Sequence, residues 1–152
     1  MYILWDGNWD RPEIEISDSS QGLIKLGRLF FKIKENFKLQ AAQKKSDFYS
    51  ENLEGLLVRL SQSQYVEKFD LLKIFIDNKH LVFEGSQSAF DKLGMSLLNY
   101  FHENSHKNEH FHLDYVEQDP LLAPTNCSII FLCAEGEGVK SGLCLINGVD
   151  LD

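Results

Sequence analysis

One stretch, His80 to Glu117, constrains the fold of this chain more than any other, because it reads as a strand, a break, a helix and a second strand in immediate succession. The outer pieces, His80-Leu-Val-Phe-Glu84 and His110-Phe-His-Leu-Asp-Tyr-Val-Glu117, carry their apolar residues at strand spacing. Gly85-Ser86-Gln87 breaks the first of them. Between Ser88 and Phe101, Phe90, Leu93, Gly94, Leu97 and Phe101 recur at three- and four-residue steps, one apolar face of a helix. Ser88 with Asp91 three residues on has the form of an N-cap signal.

Further elements follow from the same periodicities. Tyr2 to Trp5 and Glu13 to Ser17 read as strands joined through a turn at Asp6-Gly7. From about Gln21 the spacing of Leu23, Leu26, Gly27, Phe30, Phe37 and Ala41 predicts a long first helix reaching nearly to Lys44, its polar face basic. A second helix, about Ser50 to Gln62, is predicted from the stripe Leu53, Leu56, Leu57 and Leu60. Leu71 to Ile76 reads as a strand turning at Asp77-Asn78-Lys79 into His80. Cys127 to Cys133 is nearly all apolar, as in a strand buried on both faces. Glu135 to Gly138 reads as a loop and Gly142 to Asn147 as a last strand.

The segment Ile14–Gly27 has a counterpart in Leu81–Gly94. Ser19/Ser86, Lys25/Lys92, Leu26/Leu93 and Gly27/Gly94 are identical at a constant offset, and each copy is a hairpin followed by a helix. A glycine inside a helix costs about 1 kcal/mol relative to alanine, so the repeated glycine implies a close approach, expected here between helix and sheet. The expectation is one α+β domain over residues 1–152: about three helices packed on a largely antiparallel sheet, as two ββα units plus C-terminal strands.

At 152 residues the chain can bury a core without covalent staples. No window approaches the ~18 continuous apolar residues of a spanning helix. The start, Met1-Tyr-Ile-Leu-Trp-Asp, has no basic region followed by an apolar run, so no secretory signal is expected. Cys127, Cys133 and Cys144 cannot all pair and lie in apolar runs, which predicts buried free thiols and a cytoplasmic setting. The net charge of −8 falls wholly in residues 77–152, since residues 1–76 balance. An acidic surface can serve solubility alone, or it can face a cationic partner and speed association. It disfavours direct binding to a nucleic-acid backbone, and the basic first helix is expected to be solvated or to offset the acidic half.

Catalytic patterns are weak. A thiol in an apolar strand is inert toward His112, no Gly-x-Ser-x-Gly elbow is present, and Gly136-Glu-Gly138 carries the wrong charge for phosphate. His110, His112 and Asp114 alternate on one strand face and so form the one metal-like pattern, against the plainer reading of a polar sheet face.

At Leu81–Gly85, Leu93-Gly94 and His110-Phe-His-Leu-Asp-Tyr115 the chain resembles small immunity proteins of bacterial polymorphic-toxin and contact-dependent growth-inhibition systems, over roughly residues 71–133. The resemblance implies a non-catalytic, cofactor-free protein that neutralises the C-terminal domain of one cognate toxin, commonly a basic nuclease. The expected partner-binding residues are Asp114, Tyr115, Glu117, Asp119, Glu135 and Glu137. The alternative is a small metal-binding domain or metal-dependent hydrolase using His110, His112 and Asp114. Oligomeric state stays open.

Overall fold

The structure, a computed structural model, describes residues 1–61 and 70–134 and the backbone of 145–146. It is an α+β arrangement of two helices and two five-stranded mixed sheets. In chain order the elements are β1 (Tyr2–Trp5), β2 (Glu13–Asp18), α1 (Ser20–Phe30), β3 (Phe37–Gln40), β4 (Glu51–Asn52) and β5 (Gly55–Leu60), followed by β6 (Lys73–Asp77), β7 (His80–Gly85), α2 (Gln87–Tyr100), β8 (His110–Leu113), β9 (Ser128–Cys133) and β10 (Leu145–Ile146). The first sheet runs β4-β1-β2-β9-β8 and the second β10-β3-β5-β7-β6.

The repeat seen in the sequence is real in the fold and longer than a ββα unit. Each copy is ββα followed by two strands that cross into the other copy's sheet, β3 and β5 in the first and β8 and β9 in the second, while the short β4 stays beside β1. Starting from the hairpins, the sheets read β1-β2-β9-β8 and β6-β7-β5-β3. Both follow the order antiparallel, parallel, antiparallel. The parallel registers match residue for residue: Glu13 to Asp18 against Ser128 to Cys133, and His80 to Gly85 against Gly55 to Leu60. Even the closing hydrogen bonds correspond, from Ala134 N to the Asp18 carbonyl and from Ser61 N to the Gly85 carbonyl, each at 2.8 Å.

The helices begin alike. Ser19 Oγ accepts from Gly22 N and Ser86 Oγ from Ala89 N, both at 3.1 Å, satisfying an amide that the first turn leaves unpaired. The cap of α2 is therefore Ser86, not Ser88, and Asp91 serves elsewhere. Its carboxylate accepts the Lys32 amide at 2.6 Å, just beyond α1. Phe30 joins the two halves, its ring 5.9 Å from Phe90, 5.7 Å from Phe83 and 6.4 Å from Phe37.

Several expectations are corrected. Among the described residues there are two helices, not about three, and the pairing, largely antiparallel as expected, is divided between two sheets that each contain one parallel pair. The first helix stops at Phe30 because Phe31 turns extended and Lys32 enters the left-handed region (φ 65°), so Phe37 and Leu39 belong to a strand. The leucine stripe of residues 53–60 is a strand buried on both faces, β5, paired with β3 and β7. A short run of leucines satisfies helical and buried-strand patterns equally. Finally, the repeated glycines bring helix to helix, not helix to sheet: the Cβ position of Gly94 lies 2.7 Å from the Gly27 carbonyl. The turn at Asn78-Lys79 is as expected, with both residues at positive φ (44° and 62°) in a two-residue hairpin loop. Cys127 is a buried free thiol and Cys133 is buried, while Cys144 and the loop Glu135–Gly138 lie outside the described residues.

Candidate docking face

Alternation along β2 sends Ile14 and Ile16 into the core and leaves Glu13 exposed and Glu15 half-buried on the opposite face. The parallel partner β9 sets Ser128 beside Glu13 and Ile130 beside Glu15. On the far side of β9, β8 sets His112 beside Ile130. One residue beyond β8, Asp114 accepts a short hydrogen bond from the Ser128 hydroxyl. Glu13, Ser128 and Asp114 thus form one row across three strands, and Glu15, Ile130 and His112 the next. Strand spacing puts the two carboxylate-bearing ends of such a row about 10 Å apart.

The β1–β2 loop adds a third carboxylate. Asp6 Oδ1 accepts from Asn8 N at 3.0 Å and from Glu13 N at 3.2 Å. Asp6, Arg11, Glu13, Asp114, Tyr115 and Ser128 line a cleft of about 670 Å³. Tyr49 feels the same charges: burial first, then the Glu15, Glu13 and Asp6 carboxylates, push its phenol above the ordinary value of 10.0. Negative potential is therefore concentrated on this face, with Arg11 as the one cation among the cleft's lining residues.

The residues expected from the sequence divide. Asp114 and Tyr115 lie together in the cleft. Tyr115 and Asp119 also border a second hollow, formed with Leu71, Lys73, Leu122 and Pro124. Glu117 is exposed on the turn after β8, outside the cleft. Asp119 is engaged locally, its Oδ1 accepting from Leu121 N and Leu122 N at 2.7 Å each. Glu135 and Glu137 lie outside the described residues.

The acidic excess of residues 77–152 is not one patch. Asp77 pairs with Arg59 at 3.4 Å, Glu84 with Lys73 at 3.6 Å, and Asp91 holds the Lys32 amide. The residues missed are Asp6, Glu13 and Glu15, which belong to the half whose charge sums to zero. Their alternation with Ile14 and Ile16 marked them as outward-facing, but nothing local announced that β2 would pair with β9.

The metal-like triad does not converge. The rings of His110 and His112 meet edge to face at 4.9 Å, and His110 Nδ1 lies 2.9 Å from the Asn108 carbonyl. His112 Nδ1 is 3.8 Å from Asp114, an ion pair when the imidazole is protonated. Among the described residues no group of three or more His, Cys, Asp or Glu side chains is disposed to hold a metal ion.

No described helix is long and apolar enough to cross a membrane. Comparison with family models, curated proteins and solved structures finds no match to this chain.

Proposed function

We propose that this chain is an immunity-type inhibitor that acts in the cytoplasm by binding, without catalysis, the basic C-terminal domain of a cognate toxin, through the outer face of the β4-β1-β2-β9-β8 sheet. One observation carries the reading: Asp6, Glu13 and Asp114, from three separate segments, converge on a single cleft beside Glu15. A nuclease that grips phosphates presents lysine and arginine, and a rigid acidic face complements it, chiefly by speeding encounter. Tyr115 supplies an amphipathic ring at the cleft wall of the kind enriched in interface anchors. Arg11 at the rim offers register, since it repels a cation misplaced toward the loop.

The test is protection and binding by Glu13→Lys with Glu15→Lys. These residues lie on the strand surface away from the core, so folding should survive. Association with the toxin domain should slow by tenfold or more at low salt, on the order seen for electrostatically steered pairs, and the deficit should shrink as salt rises. Glu117→Lys, outside the cleft, should have little effect. Protection undiminished by the double reversal would locate the interface elsewhere.

A further inference from the structure

The two sheets have equivalent strands, β3 and β8, but among the described residues a further strand pairs with β3 alone. β10 pairs antiparallel with β3, Leu145 against Leu39 and Ile146 against Lys38. Among the described residues nothing pairs with the outer edge of β8. The hydrogen bond from Cys133 N to the Glu109 carbonyl sets the phase of the β8–β9 ladder. Alternation then turns the backbone N–H and C=O groups of His110 and His112 toward the open edge. That edge is short, but His110-Phe-His-Leu113 contains neither lysine nor proline, two of the devices that block edge pairing.

We propose that the occupant is a second copy of this chain, its β8 lying antiparallel to the first about a two-fold axis at His112, so that two five-stranded sheets run together. The register follows from the side chains. Placing His112 opposite its own mate sets His110 opposite Asp114 on the outer face, twice, and Phe111 opposite Leu113 on the core face, twice. An imidazole donating to a carboxylate and an apolar contact are both stabilising cross-strand pairs. The same strand in reverse is thus its own complement, the condition for an interface in which one patch meets itself. Phe111 is half-buried, with Tyr100 5.5 Å away and 41% exposed, so apolar surface waits beside the seam. Asp114 then belongs to the seam as well as to the cleft, so the two acidic clefts flank the axis on the extended face.

Sedimentation of the purified chain alone, from micromolar to submillimolar concentration, tests this without any toxin. A concentration-dependent dimer is expected. His112→Pro removes an edge-facing donor and an exposed imidazole and should leave a folded monomer. His110→Asp, which sets two carboxylates against each other, should also be monomeric, as should Asp114→His. Mixing these last two variants should restore a dimer, because each then supplies what the other lacks. A chain that stays monomeric throughout, or a dimer that His112→Pro and His110→Asp leave intact, overturns the proposal.

Discussion

Gly27 and Gly94 occupy the same position in two copies of one structural unit, and each is the other's neighbour at the crossing of α1 and α2. A Cβ on Gly94 would sit 2.7 Å from the Gly27 carbonyl oxygen and 2.6 Å from the Phe31 nitrogen. A Cβ on Gly27 would meet the Gly94 oxygen at 3.3 Å and the side chains of Leu97 and Leu98 at 3.2 Å. The pseudo-two-fold relation is therefore close but not perfect, and the tighter half is Gly94.

That difference predicts unequal costs. Alanine in a helix gains about 1 kcal/mol over glycine, but backbone atoms cannot yield as side chains do. Gly94→Ala should destabilise by about 1–3 kcal/mol, the range for overpacking, while Gly27→Ala should stay within about 1 kcal/mol of wild type. Denaturant unfolding of the two variants, compared at equal slope, checks the ranking.

The two helix caps should behave as a pair. Ser19→Ala and Ser86→Ala each strip one hydrogen bond from a first turn, and each should cost about 1 kcal/mol. Each hydroxyl also donates to a carboxylate, Ser19 to Asp18 at 3.5 Å and Ser86 to Asp70, so the two losses should be alike in thermal unfolding.

Much of this organisation was legible in the sequence, and the failures have physical reasons. The Ser19/Ser86 and Gly27/Gly94 identities pointed to two like units, and β7, α2 and β9 lie close to where periodicity puts them. The residues after Phe30 were misread because Phe37 and Ala41 continue a helical stripe. What ends the helix is Asp91, a partner 59 positions on, taking the Lys32 amide. Leu53 to Leu60 failed for a different reason: a strand buried on both faces has no polar side to reveal its period of two. Of the acidic cleft's lining, Asp114 and Tyr115 stood out in the sequence, but Glu13 reaches them only through a parallel pairing of strands from opposite ends of the chain.

The pH response of Tyr49 has a definite sign. Its folded-state pKa is raised by burial and by the Glu15, Glu13 and Asp6 carboxylates. The stability this group contributes is complete below its unfolded pKa of about 10 and is lost as pH rises through the higher folded value. Tyr49→Phe should therefore flatten the alkaline decline in stability above about pH 10, leaving the neutral range unchanged. Urea midpoints measured across that range check it.

Thiol chemistry should report the core directly. Burial pushes the Cys127 thiol above its ordinary pKa, against a smaller opposing hydrogen bond from Thr125, and Cys133 is fully buried. Neither should alkylate in the native state at neutral pH, and both should do so rapidly in denaturant. Peptide mass mapping after timed alkylation reads this residue by residue.

The most direct test of the proposed acidic docking face is calorimetric titration of this chain with a basic toxin C-terminal domain of the class the proposed function names. The wild-type chain and its Glu13→Lys, Glu15→Lys variant would be compared at low and moderate salt. The expected result is a stoichiometric complex for wild type, weakened by the double reversal and more so at low salt. No complex with wild type, or equal affinity for both proteins at every salt concentration, would contradict it.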